Sequence, residues 1–589
     1  MLLLPLIFAT LASALPQSIL KTLPDTEYTI LDQTLSRQIS SLQHILDASK
    51  PRYNILTPEL LEEIDQLRRD WHIKGAGIAV VRLKDDGEWE QDTLGIGIAD
   101  GAANAVTEHT LFGMASNSKL FTAIAAGLIA ANETSGFTWR TKIKDVVPEW
   151  KLMDPVASDG TDLIDLLSHR TGLPRHDGSY GVAEDKNALI ARMRYMRPSA
   201  EFRQSWQYNN LAYLVASTLP EHIYGIPFEK FMKERIFDPL GMTETTYYPA
   251  HTNRSDAFVR KGMNFEACAE DSKGRSLSKK CLGESVNIGF MREGAMNAGP
   301  GGVVSSARDM ATWLKALLMQ GESASNESVI PPEVLKAVAT PYSQAYDPPS
   351  FTHDADLMGH STYGAGQMMY SYRGYYVIEH GGAVPGQMSQ VMRMPGAGVG
   401  IAIMVNDNEF GTDFYKVVQK RIVDHIFGLE PVDWASKMKA QMIENLRKSL
   451  PPARPNNATI DVHLDSIPGT YVDAAYGEMT ICAWNDKSRA CEKTLENNPF
   501  PEAASDVPAY IAYFPKFWCD YLLFTHRNGS TFTVTQSSTY TETNVTVPSP
   551  FESFDAVFDG KGMAWTRSAW GAGPGVEDQR VEVWFEKKE

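Results

Sequence analysis

The stretch that decides the fold is Phe112-Gly113-Met114-Ala115-Ser116-Asn117-Ser118-Lys119, which runs on into Leu120-Phe121-Thr122-Ala123-Ile124-Ala125-Ala126-Gly127-Leu128-Ile129. A helix is predicted to begin near Ser116. Its apolar residues recur on most faces, so it reads as a buried central helix. Ser116 and Lys119 stand one turn apart on one face at its start. A lysine held there, partly desolvated, can lose its proton and serve as a base for the serine hydroxyl. The helix N-terminus adds partial positive charge near the reacting oxygen. Taken alone, Ser-x-x-Lys is also consistent with a capped helix and a surface lysine.

Two further stretches carry chemistry. Tyr208-Asn209-Asn210 precedes a predicted helix over 209–223. A tyrosine there can relay a proton, and Asn210 can hydrogen-bond the lysine or a substrate carbonyl. His380-Gly381-Gly382-Ala383 closes a predicted strand. Its small residues let a substrate lie along the backbone, and a backbone N–H just beyond them, at Ala383, can form half of an oxyanion hole with that of Ser116. The bland alternatives are a half-buried Tyr with an Asn cap, and a strand end with a satisfied histidine.

Working outward, Gly75–Asp100 shows two alternating β-branched segments around Asp85-Asp86-Gly87, a hairpin signal. Strands return over 363–405. Between them helices are predicted at 161–168, 209–223, 227–236 and 306–320, with another at 412–427. Strands at both ends imply one sheet built from both ends of the domain, with helices inserted. Beyond a polar, Pro-bearing connector (431–455) the pattern turns β-rich. This predicts a C-terminal antiparallel barrel or sandwich over 456–589. The expected layout is a signal peptide (1–14), an extension (15–55), a catalytic domain (56–430), the connector and the β domain. The expected fold class is α+β.

The three motifs stand at 116, 208 and 380 in an order that resembles the class C β-lactamases, the D-alanyl-D-alanine carboxypeptidases and related serine esterases. Supporting stretches are Leu166-Leu167-Ser168-His169-Arg170-Thr171-Gly172-Leu173-Pro174, Pro239-Leu240-Gly241-Met242 and the segment Asn297–Ser306. The resemblance covers about residues 60–428. It implies acylation of Ser116, with Lys119 and Tyr208 sharing the base and acid roles. It implies that Asn210 orients the lysine or the acyl group. His169 and Arg170 read as structural. His176 and Asp177 read as a solvated loop pair, with a place at the cleft as the alternative. The C-terminal domain resembles the lipocalin-like domains appended to some members.

The chain departs from the family where Lys-Thr-Gly becomes His380-Gly381-Gly382. A fixed cation and a hydroxyl that hold a carboxylate are lost. That tilts the expected substrate from β-lactams toward neutral esters or amides of a small molecule. A D-stereospecific peptidase or β-lactamase remains a second reading, and a non-catalytic scaffold on the same fold a third. No Gly-x-Ser-x-Gly elbow or His-Glu-x-x-His zinc motif occurs, and the mechanism calls for no metal or cofactor.

Composition sets the remaining bounds. The 589 residues exceed one ordinary core, and a net charge of −17 argues against a nucleic-acid partner. Leu2–Leu15 is too short to span a bilayer but suits a signal peptide ending at Ala12-Ser13-Ala14. Sequons at Asn132, Asn253, Asn326, Asn457, Asn528 and Asn544 agree with a secreted glycoprotein. Of five cysteines, Cys268 with Cys281 and Cys482 with Cys491 could each close a local loop, leaving Cys519. The sequence itself leaves that connectivity open.

Overall fold

The computed structural model describes residues 53–588 apart from 182–183, 249–252, 265–266, 269–275, 291–296, 347–358, 501–506, 541, 568 and 573–580. The expected signal peptide and residues 15–52 lie outside the described residues. Everything below concerns the unit Ile55–Glu589.

The alternating segments form β1 (Gly75–Leu83) and β2 (Trp89–Gly97). Gly87, at φ +85°, makes the tight turn between them, a conformation that costs glycine little. Six later strands complete an antiparallel sheet. They are β3 (Ser343–Tyr346), β4 (Ser361–Tyr363), β5 (Met368–Tyr372), β6 (Tyr375–Val384), β7 (Gln387–Met394) and β8 (Val399–Val405). Their order is β2-β1-β8-β7-β6-β5-β4-β3, so chain segments far apart in sequence meet at β1 and β8. Ile78 lies opposite Leu94 on one side and Ile403 on the other, which fixes the register by burial.

The inserted helices include α1 (Ser118–Ala131), α2 (Leu163–Leu167), α3 (Asn210–Ser217) and α4 (Ala307–Leu318). α5 (Gly411–Ile426) follows the sheet. α1 is buried on nearly every side, as its composition predicts. Phe121 stacks on Trp313 of α4 at 4.1 Å between ring centroids. Burial of each such side chain stabilises by about 1.5–3 kcal/mol. α4 packs on β1, β2 and β8, and α5 on β7 and β8.

Three predicted elements differ in detail. The helix expected over 209–223 breaks at Thr218, because Pro220 has no N–H to continue it. The helix over 227–236 widens into a π turn at Lys233–Phe237, just ahead of Pro239. The connector contains a helix, α6 (Trp434–Ser449), with Trp434 buried. Prolines on both sides hide its apolar face in the sequence.

The C-terminal domain is a closed antiparallel barrel of eight strands, not a sandwich: β9 (Gly469–Asp473), β10 (Gly477–Ala483), β11 (Ala509–Tyr513), β12 (Tyr521–Asn528), β13 (Thr531–Tyr540), β14 (Val545–Phe558), β15 (Gly562–Thr566) and β16 (Val583–Lys587). Closure removes unpaired edges. Trp565 fills one end, 4.6 Å from Phe554 and 4.7 Å from Phe585 between centroids. Disulfides join Cys268 to Cys281 and Cys482 to Cys491, and Cys519 is a buried thiol. No described helix is long and apolar enough to cross a membrane.

Candidate active site

Ser116 sits in a single 3₁₀ turn, Ala115–Asn117, that leads into α1. Ala115 adopts φ +47°, a left-handed conformation unfavourable for a residue with a Cβ. Gly382 packs directly on this turn. A Cβ there would lie 2.4 Å from the Met114 carbonyl and 3.1 Å from the Ala115 methyl. The end of β6 therefore runs past the serine only because residue 382 is glycine. Beyond Glu379, β6 pairs with β7 alone, which leaves its other edge to the cleft. Gly381 faces the opposite way, toward the Tyr415 hydroxyl.

Four of the predicted residues meet at the serine. Lys119 Nζ lies 3.0 Å from Ser116 Oγ, 2.8 Å from Asn210 Oδ1 and 2.8 Å from the Pro300 carbonyl. The Tyr208 hydroxyl donates to Ser116 Oγ at 2.7 Å. Lys119 is fully buried, and burial with the nearby Arg175 charge pushes its ammonium well below the ordinary lysine range, against the pull of Asp177. A neutral amine has two N–H bonds and one lone pair. The Asn210 and Pro300 carbonyls only accept, so they take the two N–H bonds. The lone pair then faces the Ser116 hydroxyl. That arrangement can take the serine's proton.

Asn210 is itself held. Its Nδ2 donates to Asp177 at 3.0 and 3.3 Å, and a carboxylate can only accept, which fixes the amide with its oxygen toward Lys119. Asp177 also accepts from Arg175 Nε at 2.7 Å and the Tyr180 hydroxyl at 2.9 Å. The Arg175 guanidinium stacks over the Tyr208 ring, 5.0 Å from its centroid. Asp177 is thus no solvated loop residue. The sequence signal was its place just after the Ser168–Pro174 motif.

His380 points into the same side of the sheet as Gly382, but its nitrogens are used within the protein. Nδ1 donates to the Gly381 carbonyl at 2.6 Å, so Nε2 accepts from the Tyr363 hydroxyl at 3.1 Å. Burial holds its pKa down at about 3. The imidazole is neutral even in mild acid and has no hydrogen bond to spare for a substrate carboxylate.

His169 does more than pack a loop. Its Nδ1 accepts the Asn209 N–H at 3.1 Å, and its ring lies 4.6 Å from that of Tyr208. Arg170 pairs with buried Asp165 at 2.7 Å, as a structural residue would. His176 faces the barrel instead of the cleft. Its Nε2 donates to the Arg197 carbonyl at 2.9 Å, its Nδ1 accepts from the Tyr476 hydroxyl at 2.8 Å, and its N–H donates to the Trp570 carbonyl. Burial lowers its pKa to about 4. With Phe517 N–H on the Tyr180 carbonyl, these contacts dock the barrel on the loop that carries Asp177.

Between the two parts lies a cavity of about 840 Å³. Arg175, Ala383, Val384 and Pro385 line it from the catalytic side, and Trp518, Trp565 and Trp570 from the barrel. Its size suits a small-molecule ligand. Among the described residues no group of His, Cys, Asp and Glu has the geometry of a metal site.

Known proteins are similar to this chain. The sequence pattern of the Beta-lactamase family matches residues 62–421. The unguisins hydrolase of Aspergillus campestris is 26% identical over 484 residues, covering 78% of this chain and 84% of that protein. Penicillin-binding protein 4 of Amycolatopsis lactamdurans is 24% identical over 383 residues, 62% of this chain and 90% of that protein. The octameric penicillin-binding protein homologue from Pyrococcus abyssi superposes with a TM-score of 0.51, covering 90% of this chain and 99% of that chain at 16% identity. That last likeness is one of fold. The match over most of its length makes this chain a member of the β-lactamase family, with the serine β-lactamase-like and penicillin-binding-protein-like hydrolases.

Proposed function

We propose that this chain is a secreted serine hydrolase that cleaves an ester or amide bond of a small molecule through an acyl-enzyme on Ser116. The observation that carries the reading is the hydrogen bonding of Lys119, whose two carbonyl acceptors leave its lone pair for the Ser116 hydroxyl. Lys119 takes the serine proton as Oγ adds to the substrate carbonyl. The N–H groups of Ser116 and Ala383 hold the oxyanion. Tyr208 delivers a proton to the leaving oxygen or nitrogen and recovers one from Lys119. Water, or another acceptor in a transferase, then attacks the acyl-enzyme with the same groups in reverse.

A relative named as an unguisins hydrolase supports hydrolysis as the reaction class. The engaged His380 speaks against β-lactams, whose carboxylate the family holds at that position. Two disulfides and six sequon asparagines, all exposed, support secretion.

The test compares release of p-nitrophenol from short acyl esters with hydrolysis of a chromogenic cephalosporin, for the native protein and Ser116→Ala. Ester turnover is expected, falling by about 10³-fold or more in the variant, with the cephalosporin spared. Cephalosporin turnover would restore the β-lactamase reading. Absence of all turnover, with no fluorophosphonate adduct on Ser116, would favour the scaffold.

A further inference from the structure

The lysine that the family uses to hold a carboxylate is absent at 380, but the site is not without a cation. Arg175 lines the cavity beside Ala383, and its guanidinium lies over the ring whose hydroxyl touches Ser116. Only its Nε is engaged, by Asp177. Among the described residues the two terminal nitrogens have no hydrogen-bond partner. The side chain is 38% exposed and lines the cavity. The barrel shapes this seat. Gly571 lies against the arginine stem, where a Cβ would come within 2.8 Å of Arg175 Cδ.

The wall around it is cationic in an otherwise acidic protein. Arg260, Lys261 and Lys516 join Arg175 on the lining, against Asp177 and Glu409. Glu409, half-buried near Asp407, is pushed up to about 8 by burial and the Asp407 charge. Arg260 pairs with Asp407 and Lys516 approaches Glu184, whereas Arg175 meets Asp177 through Nε and keeps its two terminal nitrogens out of that pair. Trp518, Trp565 and Trp570 of the barrel line the same cavity. A planar guanidinium with two open N–H edges suits a carboxylate, and indole walls suit an apolar or aromatic body.

Resting on the hydrolase reading above, we infer that the substrate is an ester or amide that also carries a carboxylate on an apolar or aromatic frame, and that Arg175 is the residue that binds it. This replaces the neutral substrate expected from the loss of lysine at 380 with an anionic one. The charge has moved from the strand to the loop after the Ser168–Pro174 motif, and the barrel completes its pocket.

Two matched pairs of esters test this. Mono-p-nitrophenyl glutarate against p-nitrophenyl butyrate places the carboxylate on the acyl side, and 4-acetoxybenzoate against phenyl acetate on the leaving side. In at least one pair the carboxylated ester is expected to have the higher kcat/KM, by about tenfold or more. That ratio should fall at least about tenfold in Arg175→Gln, through KM, and be partly restored in Arg175→Lys. A second arm needs no turnover. In Ser116→Ala, 3-phenylpropionate should bind more tightly than 3-phenylpropionamide by calorimetry, and adding R175Q should erase the difference. Ester turnover with no preference in either pair, or a preference that R175Q leaves intact, overturns the proposal and spares the hydrolase. No turnover, with the acid still bound through Arg175, overturns the hydrolase reading and keeps the anion site.

Discussion

Asp177 shows how one side chain sets both geometry and charge at the candidate base. It accepts from Asn210, which turns the amide oxygen toward Lys119, and its negative field raises the pKa of Lys119 while burial and Arg175 lower it. Activity must fall on the acid side, where Lys119 gains a proton and loses its lone pair. Asp177→Asn removes the carboxylate, so the lysine pKa drops further. The acid limb of the kcat/KM profile is expected to move to lower pH, while the plateau falls about tenfold as Asn210 loses its anchor. Arg175→Gln removes a repelling cation and should move the limb the other way. A pH profile of ester hydrolysis separates these outcomes. A loss of rate with an unmoved limb would make Asp177 a merely structural residue.

At the scale of elements, the loop from Arg175 to Tyr180 is shared property of catalytic core and barrel. The Tyr476 hydroxyl on β10's approach bonds His176, one residue from Asp177. Tyr476→Phe leaves the buried His176 Nδ1 without its donor, at a cost of about 1–3 kcal/mol. The expected result is a lower urea midpoint together with a several-fold loss of kcat, because the loop that aims Asn210 loosens. A stability loss with unchanged kcat would show that the barrel does not support the site. None of this was legible in the sequence, since His176 and Tyr476 stand 300 residues apart and each reads as ordinary loop polarity. What was legible has short-range signatures. Alternation marked β1 and β2, uniform apolarity marked α1, and turn spacing put Ser116 beside Lys119. Tyr208 and Asn210 were found through their motif, but the hydrogen bonds that give Lys119 its lone pair direction depend on Pro300 and Asp177 from distant segments. Likewise the neutral state of His380 follows chiefly from its burial, and its Nε2 partner is the Tyr363 hydroxyl on β4, which no local pattern announces.

For the molecule as a whole, the exposed sequons predict that material made through a secretory host loses apparent mass on endoglycosidase treatment, whereas Asn→Gln at all six positions would not. A sharper expectation concerns acid. His176 and His380, with pKa values of about 4 and 3, and His169, held well below its ordinary value chiefly by burial, stay neutral in the fold. In the unfolded chain each gains a proton near pH 6.5. Between about pH 4.5 and 6.5 the unfolded state therefore binds more protons at these sites, so stability rises with pH across that window and is lost as pH falls through it. Glu409 opposes this, because its raised pKa keeps a proton on the folded chain over the same range, and buried Asp407 is shifted the same way. The histidine contribution to the slope is therefore positive, and the raised acids, Asp309, Asp413 and Asp473 among them, reduce it. Urea unfolding at pH 4.5, 5.5, 6.5 and 7.5 measures it directly. Replacing His380 with Asn removes one such proton and should flatten the slope by about 1.4 kcal/mol per pH unit. A slope that His380→Asn leaves unchanged would mean that His380 is charged in the fold, and the engaged, neutral imidazole could no longer be the reason to look to Arg175 for the carboxylate.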